Sequence, residues 1–234
     1  MDPRDPDIDP RRRACVLSAL AAGLFALPPF RHALAADGQS RSIHRSSGEV
    51  RVNGAAATPA TVIRGGDRIE TGSDGEIVFT VADDAFILRR NARLELTAPA
   101  TDSRLVEGLR VVTGALLSVF ARRPHRITAS VATIGIRGTG VYVEVDEDYD
   151  YVCTCYGVTE VATGDDPASS TVVEAGHHEA RYVLRSGPAG ARIRRAPFKN
   201  HTDAELTLIE SLVGRVPAFQ GEYEGYERPR RRTY

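Results

Sequence analysis

The sequence predicts an all-β protein closed by one C-terminal α-helix. Three observations carry that expectation. Between residues 48 and 185, short runs alternate apolar and polar residues, the period of two that sends side chains to opposite faces of a strand. Glycine, asparagine and aspartate, the residues of tight turns, punctuate these runs about every 8–12 residues. Helical spacing occurs once, after residue 200. An antiparallel sandwich and a compact β-roll or solenoid-like domain both satisfy the pattern.

The elements follow in order. In "GEVRVNG", Val50 and Val52 face one way, Glu49 and Arg51 the other, and Asn53-Gly54 turns the chain. Strands are expected at 68–70, 76–81, 85–88 and 93–96, separated by Gly72-Ser73-Asp74-Gly75, Asp83-Asp84 and Arg90-Asn91. "LRVVTGALLSVFA" reads as two strands around Gly114. "HRITASVATIGIRGTGVYVEV" reads as two or three, bent at Gly135, Gly138 and Gly140. "YDYVCTCYGVTEVATG" reads as one strand and the start of its hairpin partner, and "STVVEAGHHEARYVL" as one more. The helix is expected at 203–213. Thr202 and Glu205 form a capping box, Leu206, Ile209 and Leu212/Val213 repeat at helical spacing, and Gly214 and Pro217 are stop signals. A lone amphipathic helix must bury its apolar stripe, so it is expected to cover a sheet edge or face. Residues 219–234 read as a disordered basic tail.

The chain has 234 residues, 42% hydrophobic and 26% charged, ordinary values for a globular protein. Its formal net charge of −1 argues against bulk electrostatic binding to nucleic acid. Arg11-Arg12-Arg13, the apolar run 14–27 and the small-residue site Ala33-Leu34-Ala35 make residues 1–35 a secretory signal peptide. The run is short of the ~20 residues of a membrane span. The alternative is an uncleaved N-terminal anchor, the only membrane contact then expected. The paired arginines suggest the twin-arginine route, though Cys15 and Leu17 depart from its pattern. Residues 36–47 read as a polar linker, and the mature chain is expected in the periplasm. Cleavage removes Cys15 and leaves Cys153 and Cys155 as the only thiols, too few and too close for a disulfide scaffold.

"YVCTCYG" carries the chemistry worth weighing. Residues two apart on a strand share a face, so Cys153 and Cys155 present two sulfurs on one side. Their Cβ atoms then stand ~6–7 Å apart, against the ~3.8 Å of a disulfide. Two thiolates with one or two imidazoles suit zinc or copper, and the candidate imidazoles are His177, His178 and His201. On a strand only one of His177 and His178 can face the thiols. C-x-C is not a standard zinc spacing, so two further readings stay open: buried small hydrophobes, and a redox or intermolecular thiol pair. Arg137 is a candidate anchor for an acidic partner. "GIRGTG" matches no phosphate-loop pattern, and "DEDYDY" lacks the spacing of a calcium loop and reads as a solvated hairpin tip. No G-x-S-x-G or placed nucleophile occurs, so no catalytic activity is expected.

"GGDRIETGSDGEIVFTVADDAFILRRNARLEL", "GALLSV" and "VATIGIRGTGVYVEV", in that order, resemble the FecR-like domain over residues 48–165. Its marks appear here as Thr71-Gly72, Asp83-Asp84-Ala85 and Arg137-Gly138-Thr139-Gly140-Val141-Tyr142, the last with one inserted residue before the aromatic. The resemblance implies an extracytoplasmic all-β module that binds an envelope protein or ligand, or relays a signal, without catalysis. About ten residues precede the arginines, too few for the cytoplasmic anti-sigma segment of the best-known members. Residues 166–218 form a C-terminal extension. With "CTCYG", "HH" and "NHTDAEL" it is similar to a tail found in a subgroup of such proteins, which implies no further activity.

Overall fold

The computed structural model describes residues 41–221; the signal-type segment and residues 222–234 lie outside the described residues. No helix among the described residues is long and apolar enough to cross a membrane.

The described chain is all-β with one C-terminal helix. The strands are β1 (Ile43–Ser47), β2 (Val50–Val52), β3 (Ala55–Ala56), β4 (Arg68–Thr71), β5 (Glu76–Val81), β6 (Asp84–Leu88) and β7 (Arg93–Thr97). They continue with β8 (Gly108–Val119), β9 (Pro124–Thr128), β10 (Ala132–Val145), β11 (Tyr149–Thr163), β12 (Ser170–Ala175), β13 (Glu179–Leu184) and β14 (Ile193–Ala196). Helix α1 (Asp203–Leu212) and a 3₁₀ turn (Ala218–Gly221) close the fold.

All fourteen strands belong to one sheet, which three long strands fold upon itself. The first half of β8 pairs with β7 and β9, and its second half with β6 and β10. Strand β10 pairs with β9 through Arg137 and with β8 from Gly140. Strand β11 pairs with β13 up to Thr154 and with β12 from Gly157. Each long strand therefore serves both halves of a sandwich-like roll. Every pairing is antiparallel except β8 with β9.

Glycine makes two of the hinges possible. Gly114 (φ +77°) and Gly157 (φ +87°) hold left-handed backbone where β8 and β11 change partners. A Cβ on Gly157 would stand 2.4 Å from Thr139 Cγ2, so even alanine is excluded without a shift. The sequence read Gly114 as a break between two strands; it is a bend within one. A glycine's φ marks a turn or a bulge equally, and only the partner strands distinguish them.

The core lies between the two halves. Val52, Ile69, Leu94, Val111, Ile134 and Val161 from one meet Ile77, Phe79, Leu88, Leu116, Val143 and Val152 from the other. Strands β5 and β6 are buried along nearly their whole length because a second apolar cluster covers their outer face. There, Leu206 and Ile209 of α1 pack with Val78, Ile87, Leu117 and Tyr142. Both helix residues are fully buried, each burial contributing about 1.5–3 kcal/mol. The expected capping box is present: Thr202 Oγ1 accepts the Glu205 amide, and the Glu205 carboxylate accepts the Thr202 amide. Arg89, at the end of β6, fastens that terminus by donating to Glu205 at 2.8 Å and Glu76 at 3.0 Å.

Five expectations need correction. Residues 43–47 of the polar linker form a strand, because pairing with β5 satisfies their backbone and Ile43 reaches the core. "STVVEAGHHEARYVL" is two strands rather than one, with His177 and His178 between them. Within "DEDYDY", Asp150 is fully buried and not part of a solvated tip, accepting the Val131 and Ala132 amides and the Ser130 hydroxyl. The sheet also runs unbroken past residue 165 through β12, β13 and β14, and Phe219, placed by the sequence in a disordered tail, is buried against Tyr156.

Candidate metal centre

Strand β11 changes partner at Cys155 and Tyr156. Strand β13 leaves it at Thr154 and β12 joins it at Gly157, so residues 176–178 cross this gap. The His178 amide donates to the Cys155 carbonyl at 2.9 Å, and His178 takes left-handed backbone (φ +51°). The bond and the conformation set its ring over the strand, with Nδ1 3.7 Å from Cys153 Sγ. Cys153 and Cys155 are fully buried and unbridged.

The fourth group comes from the segment before α1. Tyr151 and Glu144 hold it: Tyr151 Oη donates to the Pro197 carbonyl at 3.0 Å and accepts the Lys199 amide at 3.2 Å. Glu144 accepts Lys199 Nζ at 3.0 Å and Asn200 Nδ2 at 2.8 Å. Asn200 is left-handed (φ +63°) and turns the chain so that His201 stacks on Tyr142, ring centroids 4.5 Å apart. His201 Nε2 lies 3.4 Å from Cys155 Sγ and 3.3 Å from His178 Nδ1.

One ligand atom from each of Cys153, Cys155, His178 and His201 thus falls within 4.8 Å of the others. Tetrahedral zinc, with Zn–S ~2.3 Å and Zn–N ~2.05 Å, separates sulfur from nitrogen by ~3.6 Å and two nitrogens by ~3.3 Å. The S···N distances of 3.7 and 3.4 Å and the N···N distance of 3.3 Å match those edges.

The outer hydrogen bonds decide what the imidazoles present. A carbonyl and a carboxylate only accept. His201 Nδ1–H therefore donates to the Lys199 carbonyl at 2.8 Å, and His178 Nε2–H to Asp203 Oδ1 at 2.8 Å. In the neutral rings both inward nitrogens then carry lone pairs aimed at one point. This is how outer partners orient metal-binding histidines. Two lone pairs facing each other 3.3 Å apart repel unless a proton or a cation lies between them.

The electrostatics of the cluster are divided. The Cys153 thiol is brought down to about 4 by the hydrogen bond from Cys155, against the effect of burial, with help from His178 and His201. Burial pushes Cys155 well up, and the neighbouring Cys153 adds to it. Burial opposes the charge on His178, but Cys153 and Asp203 raise its pKa above the ordinary value. Burial likewise works against Asp203, which His177 and His178 nevertheless hold below the usual carboxylate range.

Of the candidate residues, Cys153, Cys155, His178 and His201 come together. His177 does not enter the set: its Nε2 donates to Asp203 Oδ1 at 2.9 Å and its ring lies against Phe219. Arg137 stands outside the cluster, exposed on β10. Sequence reading missed Asp203. Its sequence signal was an acidic residue in the first helical turn, which serves the helix dipole in any protein and so did not mark it out.

No protein-family model matches the sequence, and no curated protein matches it. Two crystal structures of a "putative anti-sigma factor" from Parabacteroides distasonis ATCC 8503 align with this chain at 15% identity and a TM-score of 0.44. The alignment covers 55% of this chain and spans 58% of that protein's chain. At that level of superposition the likeness says nothing of function.

Proposed function

We propose that the chain is a non-catalytic, metal-binding module of the cell envelope, with a FecR-like β domain. In this reading Cys153, Cys155, His178 and His201 hold one zinc or copper ion. The observation that carries it is the convergence of two thiols and two imidazoles, with both imidazoles already turned by Lys199 and Asp203 to offer lone pairs. Buried free thiols alone would explain the cysteines, but not two histidines oriented onto them.

The donor set favours a structural role. Four protein ligands close a tetrahedral site and leave no position for a substrate or water, unlike the three-ligand sites of zinc enzymes. Two sulfurs and two nitrogens in that arrangement suit zinc; copper(I) would be held by the same sulfurs. The ion would join β11, the β12–β13 turn and the segment leading into α1, three parts of the chain that no disulfide ties.

Elemental analysis of the purified full chain tests this. One zinc or copper per chain is expected, and none in the Cys153→Ser/Cys155→Ser variant. Metal-free protein that takes up neither ion on titration would remove the reading. Asp203→Ala should keep the ligands but weaken metal affinity about 10–100-fold, the usual cost of losing an outer carboxylate. A competition titration with a chromogenic chelator measures it.

The envelope assignment rests on the signal-type segment, and the FecR-like assignment on the order of the motifs along the chain. Cell fractionation checks the first: full-length protein confined to the cytoplasm would sink it.

A further inference from the structure

A second feature lies away from the thiols. On the outer face of the sheet, β9, β10, β11 and β12 form a groove of about 800 Å³. One row across it reads Arg126, Gly135, Glu160, Val172 by register, and the next reads Pro124, Arg137, Val158, Glu174, the last an exposed carboxylate at the β12 edge. Gly135 leaves a gap in the first row. A Cβ there would find its nearest neighbour, Glu160 Cβ, at 3.7 Å, so the space is open.

The groove gathers positive charge that the fold does not use. Arg126 and Arg137 are diagonal neighbours on one face, ~7–8 Å apart. The stem of Arg122 lies over Gly138, its Cγ 3.2 Å from where a Cβ would be. Among the described residues none of these three arginines makes an ion pair, although most of the other arginines of the strands do. Arg123, on the wall, is fixed by the buried Asp84, yet its Nε is buried without an acceptor. Like charges set side by side cost stability, so a surface that keeps them is complementary to an anion.

We propose that this groove binds an acidic peptide segment in extended conformation, its carboxylates on Arg126 and Arg137. The other lining residues favour a peptide over a bare polyanion. Val158 and Val172, 37% and 67% exposed, offer apolar contact that a phosphate chain cannot use. Glu160, in the middle of the floor, can accept a peptide N–H, a donor that a phosphate chain does not offer. Guanidinium forks match carboxylates in two-point geometry.

The test uses the full chain and a fluorescein-labelled peptide, Val-Glu-Val-Glu-Val-Glu, with fluorescence anisotropy at low salt. Saturable binding is expected. It should weaken about tenfold or more, the weight of a lost charge-assisted hydrogen bond, in Arg126→Gln/Arg137→Gln. It should weaken comparably in Gly135→Val, which fills the gap with a strong strand former. Metal content should be unchanged in both variants, which separates this proposal from the metal reading, and an unchanged circular-dichroism trace shows that they fold. No saturable binding, equal binding of the glutamine version of the peptide, or indifference to both variants would overturn the proposal. So would stronger competition by polyphosphate or phosphatidylglycerol vesicles than by unlabelled peptide.

Discussion

If Cys153, Cys155, His178 and His201 hold an ion as proposed, its removal should lower the melting temperature of the wild-type protein by about 10 °C, and the Cys153→Ser/Cys155→Ser variant should begin at that lower temperature and ignore added zinc. The magnitude follows from linkage. An ion present at a thousandfold excess over its dissociation constant stabilises the folded state by ~4 kcal/mol. For a domain of this size each kcal/mol is worth ~2–4 °C. The loss is partial because the core between the two halves of the roll owes nothing to the metal. It concentrates where the ligands are tied, at residues 176–178 and 197–202, and hydrogen exchange there should speed up on chelation. Serine keeps the shape of cysteine but not the soft donor, so the variant separates metal loss from misfolding. A chelated protein that melts with the untreated one means that the four side chains hold nothing.

Arg215→Ala is the second change with a large expected cost, about 3 kcal/mol or more in unfolding free energy. The residue follows α1, and its Nε donates to Glu210 Oε2 at 2.6 Å, while Nη1 donates to the Asp83 carbonyl at 2.6 Å. Glu210 is buried under the helix and also accepts the Tyr156 hydroxyl. Burial, together with that carboxylate, drives the Tyr156 pKa far up, so the phenol stays protonated and donates. Without Arg215 the carboxylate is left as a buried charge with one neutral donor. Denaturant unfolding should show the loss, and Arg215→Ala/Glu210→Gln should recover part of it by removing the stranded charge. If the single variant costs under ~0.5 kcal/mol, as a surface change would, the pair is not what seats the helix.

Much of this architecture was legible where one local rule decides. Strand β5 begins and ends where the Gly72–Gly75 and Asp83-Asp84 turns put it, and α1 starts at the capping box. Turn chemistry and capping act within about four residues, so the sequence carries them openly. Strand β1 was hidden because its outward residues are polar and only Ile43 reaches the core; its partner, β5, lies more than thirty residues away. The single long β8 was hidden because Gly114 could equally have marked a turn.

The candidate metal centre divides along the same line. By itself the amino-acid order determined the period-two ladder, the C-terminal helix, two sulfurs on one face of a strand, and a short choice of imidazoles. Only the folded chain decided that His178 faces the thiols and His177 does not, that His201 closes the set, and that Asp203 stands behind it. The reason is distance along the chain. These donors meet because β11 exchanges one neighbour for another beside Cys155, and which strands lie next to each other depends on how distant segments share a core.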